Sequence, residues 1–341
     1  MNTIARRGIS YMKSKGKAAL SSPANVTAGQ DTLLQTAVQE IRDRCKLKGD
    51  ILRNLGGAVA TSTMLGLPLG HHSSAHEGPK YAPPLIREGL WDISTNSTTE
   101  EGKDISDPRV LSDVGDVPIQ ELHEAQIDDD RLMQCITDCV KEVMDVSPMR
   151  PLVLGGDHSI SFPVVRAVSE KLGGPVDILH IDAHPDLYEA FMGDPYSHAS
   201  PFARIMENGY CRRLVQVGIR SINSEGRQQA QRYGVQQIEM RNYEEHREEL
   251  ENLTLGEGVR GVYVSIDCDG MDPAFAPGVS HREPGGLSFR DVMNIVQNLK
   301  GDIVGADVVE FNPQLDPAEG QGLTMFVAAK VVREVAAKMS K

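Results

Sequence analysis

The chain lacks any long hydrophobic run: no stretch reaches the about 18 consecutive apolar residues needed to cross a bilayer, because Gly, Asp or Arg interrupts each run early. A soluble protein with no membrane partner is therefore expected. Basic charge is also in deficit. With 35 Lys and Arg against 48 Asp and Glu, the formal net charge is -13. That argues against a nucleic-acid partner, since phosphate binding depends on clustered Lys and Arg. A negative field favours small cations instead, metals and guanidinium compounds among them. Cysteine is sparse. Cys45, Cys135, Cys139, Cys211 and Cys268 are odd in number and scattered, which does not make a disulfide framework and suits a reducing compartment. Cys135 and Cys139 lie four apart on a helical segment with no second Cys or His pair nearby, so they read as core packing and not as half a zinc site.

Acidic residues are missing from the first thirty positions, where Arg6, Arg7, Lys13, Lys15 and Lys17 stand among Ser and Ala before Asp31. No secretory apolar segment is present. This is the composition of a mitochondrial or plastid transit peptide, and residues 1–30 are read as a basic leader, with a disordered basic tail as the alternative reading; a mitochondrial location is expected, with plastid or cytoplasm as the alternatives.

The whole chain is 40% hydrophobic and 24% charged, the balance of a packed globular protein. Length alone suggests roughly two domains at about 150 residues each. No repeat and no Pro/Gly/Ser-rich linker divides the chain, however, and residues 31–341 are read as one α/β domain. Helical spacing marks Asp31 to Lys48, with Leu34, Val38, Ile41 and Cys45 on one face, and Asp129 to Asp145. Shorter segments read as a strand at Met64 to Leu69, a helix around Pro84 to Leu90 and a strand at Arg109 to Val114. In the second half, apolar runs at Pro151 to Leu154, Val176 to Ile181, Leu214 to Val217, Gly261 to Ile266 and Ile303 to Val309 alternate with helical segments. Continuous apolar runs indicate strands buried on both faces, as in a parallel sheet between helical layers.

The polar clusters fall where such a sheet binds ligands. Gly155-Gly156-Asp157-His158 follows one strand, Asp182-Ala183-His184-Pro185-Asp186 the next, and Asp267-Cys268-Asp269 a third. The carboxyl ends of parallel strands line one crevice. In extended chain, residues at i, i+2 and i+4 point to one side, which aims Asp182, His184 and Asp186 together, and Asp267 with Asp269. With His158 this makes four carboxylates and two imidazoles, an excess of anionic charge that two ions roughly 3.5 Å apart would balance. An oxygen-rich set without thiolate favours Mn²⁺ over zinc; Cys268 alternates away, into the sheet. Gly256-Glu257-Gly258-Val259-Arg260-Gly261 matches a dinucleotide fingerprint but precedes a strand, so it is set aside. A serine hydrolase is disfavoured because no G-x-S-x-G elbow occurs.

G-G-D-H-S, D-A-H-P-D and S-I-D-C-D-G-M-D-P, spread from Gly155 to Pro273, resemble the arginase and agmatinase family of ureohydrolases. The likeness extends through Gly78 to Arg87, Asp113 to Pro118 and Val308 to Pro313, and with the leader and the Ser280 to Pro284 segment it points to the plant mitochondrial branch. It implies a three-layer αβα sandwich with a mostly parallel central sheet, and a homo-oligomer, hexameric or trimeric. It implies two Mn²⁺ per subunit held by His158, Asp182, His184, Asp186, Asp267 and Asp269, with a hydroxide bridging the ions to attack a guanidinium carbon. His198 matches the family's proton shuttle and Glu310 the carboxylate that grips the guanidinium, while Asp186 passes a proton to the departing amine.

Where the substrate's tail binds, the sequence departs from the family pattern. Acidic residues of animal-type members are replaced by Arg220-Ser221-Ile222-Asn223-Ser224, and His281 stands where a small hydroxyl residue is usual. Tyr188 to Asp194, Asn223 with Ser224, the His281-Arg282 segment, and the His71 to Lys80 loop of this or a neighbouring subunit are the candidates for tail contacts. Arginine, giving ornithine and urea, is the expected substrate; agmatine, giving putrescine, is the alternative, and a catalytically silent metal-binding member is the third reading.

Overall fold

A computed structural model describes residues 23–317 and 322–341. Residues 1–22 of the expected leader thus lie outside the described residues.

Among the described residues, eight strands form one sheet: β1 (Thr61–Leu67), β2 (Leu111–Asp116), β3 (Met149–Gly155), β4 (Val176–Ile181), β5 (Cys211–Ile219), β6 (Gln236–Glu239), β7 (Val262–Asp267) and β8 (Ile303–Val309). Their spatial order is β2-β1-β3-β8-β7-β4-β5-β6, and every pairing is parallel. The connecting helices are α1 (Pro23–Leu55), α2 (Ala82–Leu90), α3 (Ile119–Glu124), α4 (Asp129–Met144), α5 (Ser161–Leu172), α6 (Pro201–Glu207), α7 (Ser224–Tyr233), α8 (Arg247–Glu251), α9 (Phe289–Asn298) and α10 (Leu323–Met339).

The two-residue period of the strands divides the core into two layers. Leu152, Leu154, Leu179, Ile181, Val264, Ile266 and Val308 pack beneath α2, α9 and α10. Val153, Ile178, Leu214, Tyr263, Val304 and Val309 face the other way, against α1, α4, α5 and α6. Strands β1, β4, β7 and β8 are buried at every residue, which is why their apolar residues do not follow a simple in-out alternation.

The αβα sandwich and its parallel sheet agree with the sequence reading. α1 is longer than expected and runs through the boundary placed at residue 30. The Gln30 side chain donates to Ala125 O and Gln126 O at 3.0 and 3.1 Å and accepts from Arg131 Nη1 at 2.9 Å, so that turn is already tied to the domain. Ile41 and Cys45 are fully buried, while Leu34 and Val38 are only partly covered. Cys135 and Cys139 sit in the core beneath this helix, as packing residues. β6, α3 and α8 were not foreseen. The Gly256–Gly261 segment lies at the amino-terminal edge of β7, away from the carboxyl ends.

Candidate metal centre and substrate crevice

β3, β8, β7 and β4 are neighbours at the middle of the sheet, so four consecutive strands deliver their carboxyl ends to one place. His158 Nδ1 lies 3.2 Å from Asp182 Oδ2, 3.0 Å from Asp186 Oδ2 and 3.1 Å from Asp267 Oδ2. His184 Nδ1 lies 3.4 Å from Asp182 Oδ1 and 3.2 Å from Asp269 Oδ2. Thus the structure brings together all the residues expected to be ligands. Local turns aim them. The Asp182 carboxylate accepts the His184 amide at 2.6 Å, and Asp267 accepts the Asp269 amide at 2.7 Å, each folding the chain back on its own ligand. Gly156 passes so close to β1's exit that a Cβ there would meet Leu69 O at 1.7 Å, which explains the paired glycines before His158. Asp186 and Glu310 have φ of 47° and 61°. A left-handed non-glycine residue costs about 1–3 kcal/mol and persists where surrounding packing demands it.

The donor set fits a cation. His158 Nδ1 is buried without a hydrogen-bond partner among the described residues, although three carboxylate oxygens surround it. An arrangement of that kind is stable only with positive charge at its centre. In the metal-free protein, burial opposes charge on His158 and His184, but the adjacent carboxylates outweigh it and hold both imidazoles well above the usual histidine range. Burial pushes Asp267 and Asp269 upward, and neighbouring carboxylates add to the effect. Each of these shifts favours the protonated group, so a metal binds in competition with protons. Because the folded imidazole pKa values are raised, occupancy should weaken as pH falls. Calorimetry of Mn²⁺ binding in buffers of different ionisation enthalpy should show proton release. Affinity independent of pH would contradict this electrostatic account.

Behind the ligands lies a feature the sequence reading missed. Asp307, Ser265, His180, Gln216 and Gln237 occupy matched register positions on β8, β7, β4, β5 and β6. They form two hydrogen-bonded groups side by side in the sheet, Asp307 with Ser265, and His180 with Gln216 and Gln237. His158 Nε2 meets Ser265 Oγ at 3.0 Å, and that hydroxyl donates to Asp307 Oδ1 at 2.7 Å, so Nε2 carries the hydrogen and Nδ1 is left for a ligand role. His180 Nε2 donates to Asp182 Oδ2 at 2.8 Å, while its Nδ1 accepts from Gln216 Nε2 at 3.0 Å. Gln237 in turn donates to Gln216 Oε1 at 2.8 Å. The signal was single polar residues inside otherwise apolar strands.

The centre opens into a crevice of about 310 Å³. Glu310 Oε1 accepts from the His158 amide at 3.0 Å and from His198 Nδ1 at 3.1 Å; Oε2 is buried with no partner among the described residues. Burial pulls the His198 imidazole down, yet its hydrogen bond and charge contact with Glu310 push it up to about 9. His198 Nε2 also meets Ser74 Oγ at 3.0 Å, and Ser74 reaches His281 Nε2 at 3.4 Å. The loop after β1 therefore lines the crevice of its own subunit. Tyr188, Asn223 and His281 line it too. Asn223 caps α7 through Oδ1 and donates Nδ2 to Tyr188 OH at 2.8 Å, leaving the phenolic hydrogen available. Asp194 does not line the crevice: its carboxylate binds His72 Nδ1 at 2.8 Å and the Tyr196 amide at 2.8 Å.

An open parallel sheet with an oxygen-rich cluster at its central strand ends, beside a desolvated carboxylate, defines a protein built to hold divalent cations next to a small cationic substrate. Comparison with known proteins makes the class specific. The Arginase family model matches residues 60–337. The chain is 64% identical over 341 residues to "Arginase, mitochondrial" of Medicago truncatula, covering 100% of both, and 63% identical over 340 residues to "Arginase 1, mitochondrial" of Arabidopsis thaliana, covering 99% of both. The solved structure of arginase from Medicago truncatula superposes with a TM-score of 0.92 at 65% identity, over 94% of this chain and 100% of that one. The chain belongs to the arginase family.

Proposed function

We propose that the protein hydrolyses L-arginine to L-ornithine and urea with two Mn²⁺ ions held by His158, Asp182, His184, Asp186, Asp267 and Asp269. The observation that carries this reading is Glu310 Oε2, an unpartnered and fully desolvated carboxylate oxygen on a residue lining the ligand-bearing crevice. A guanidinium N–H satisfies it. When bound, the ions supply Lewis-acid activation of a water molecule.

The chain's own groups do the rest. Glu310 orients the guanidinium through Oε2 while the His158 amide fixes Oε1. Asp186, buried within the cluster, moves a proton toward the departing amine. His198, protonated below about 9, exchanges protons along Ser74 toward the crevice mouth. Tyr188, with Asn223 holding its oxygen, offers a hydroxyl to the substrate's α-carboxylate.

Arginine is favoured over agmatine because relatives similar along the whole chain are named arginases. Agmatine lacks only the α-carboxylate, so kcat/KM for the two compounds at saturating Mn²⁺ separates the readings. Arginine is expected to be preferred by at least about 10-fold, the value of one hydrogen bond to a charged group. A preference for agmatine would overturn the substrate and leave the metal chemistry standing. We further propose mitochondrial residence, supported by the acid-free basic composition of residues 1–30 and by relatives whose names say mitochondrial, and assembly into a homo-oligomer of trimeric or hexameric size.

A further inference from the structure

Beside the crevice, and sharing no residue with the six proposed ligands, lies a second group of metal-ligating side chains. His71 and His72 come from the loop after β1, and Asp129 opens α4. Asp129 Oδ1 is 3.2 Å from His71 Nε2 and 3.4 Å from His72 Nε2, and the three donor atoms all lie within 4.8 Å of one another. Ligands bound at about 2.0–2.1 Å in a tetrahedral zinc site are about 3.3 Å apart, so both measured edges already have the required length.

The imidazole of His72 carries the argument. It is 5% exposed, and its Nε2 has no hydrogen-bond partner among the described residues. Its Nδ1 meets Asp194 Oδ2 at 2.8 Å. A carboxylate only accepts, so the ring hydrogen sits on Nδ1 and the Nε2 lone pair points toward His71 and Asp129. A carboxylate fixing the far nitrogen is the usual outer support of a metal-bound histidine. The His71 ring is held by stacking on His123 at 4.2 Å, and burial together with neighbouring His72 pulls its imidazole below the ordinary range, against its hydrogen bond with Asp129. Asp129 is half exposed, which leaves an entry path and an open coordination position.

We propose that His71, His72 and Asp129 form a third cation site, selective for Zn²⁺ or a similar borderline ion, on the rim of the catalytic crevice. Two nitrogens and one oxygen suit zinc, whereas the oxygen-rich catalytic set suits manganese. The site is coupled to the crevice through the backbone: His72 O accepts the His198 amide at 3.2 Å, and the His72 amide donates to Asp157 Oδ2 at 3.2 Å. Asp194 belongs to the same loop as His198. An ion here would hold the loop that carries the proposed proton shuttle.

The test is a Zn²⁺ titration of the Mn²⁺-loaded protein by calorimetry, with metal analysis after gel filtration, for the wild type and for His71→Gln and Asp129→Asn. Asp129 is half exposed and does not line the crevice, so Asp129→Asn should keep its manganese and its basal arginine turnover; His71→Gln, in the loop after β1, is read on zinc stoichiometry alone. The wild type should bind one zinc per subunit in addition to its manganese, and each variant should bind it at least about 10-fold more weakly. Absence of the extra equivalent would overturn the proposal. So would its persistence in both variants, or zinc entering only as manganese leaves. Because the readout is stoichiometry, failure here is distinguishable from failure of the catalytic reading.

Discussion

Replacing Asp182 by Asn is expected to remove at least one ion and lower turnover by more than about 100-fold, the upper figure for losing an outer support and not a ligand. Asp182 is fully buried and sits at the junction of the cluster. Its Oδ1 accepts the His184 amide at 2.6 Å, and its Oδ2 accepts from His180 at 2.8 Å and lies 3.2 Å from His158. An amide in its place sets a second donor against one of those groups. Asp269→Asn should cost activity comparably, but the two differ in the metal-free protein. Burial opposes charge on Asp182, yet contacts with His180, His158 and His184 outweigh it and hold the carboxyl below its usual range; Asp269 is held above it by burial. A depressed carboxylate pKa contributes stability above the unfolded value, and a raised one removes it. Asp182→Asn should therefore lower the metal-free Tm, while Asp269→Asn should raise it. Equal shifts of the same sign in metal-free thermal melts would contradict the electrostatic picture.

Glu310→Gln is expected to cut arginine kcat/KM by roughly 10²–10³-fold, the loss typical for one aligned electrostatic group, with the manganese content unchanged. The carboxylate is not within the ligand cluster, and its unpartnered Oε2 is the group offered to the guanidinium. The substitution has a second consequence. His198 is raised to about 9 chiefly by Glu310, against the downward pull of burial, so removal of that charge should return its titration toward the ordinary range near 6.5. The imidazole of Glu310→Gln, followed by NMR across pH 5 to 10, reports this directly. Unchanged kinetics together with an unchanged His198 titration would show that another group holds the substrate.

The ligand set was legible because it rests on local rules. An apolar run ending in D-A-H-P-D forms a buried strand whose exit loop carries alternate ligands on one side, and nothing distant is needed to read that. What was not legible depends on register between strands far apart in sequence. Ser265 and Asp307 are isolated polar residues within β7 and β8, and only their alignment beside His180 and Gln216 makes them a support for His158 and Asp182. β6 escaped notice because Gln236, Gln237 and Glu239 are polar, as suits a short edge strand. Asp194 followed the metal loop closely enough in sequence to suggest a substrate contact, yet the loop turns its carboxylate onto His72. The role of Ser74 depended on the β1 loop folding over its own crevice. α1 passed the expected boundary at residue 30 because Gln30 bonds to a turn roughly a hundred positions later.

The most direct test of the account is to titrate the metal-free protein with Mn²⁺ while measuring urea and ornithine released from L-arginine. Activity should rise until two equivalents per subunit are bound and then stay level, with urea and ornithine formed in equal amounts. Saturation at one equivalent, or full manganese occupancy without urea release, would contradict it.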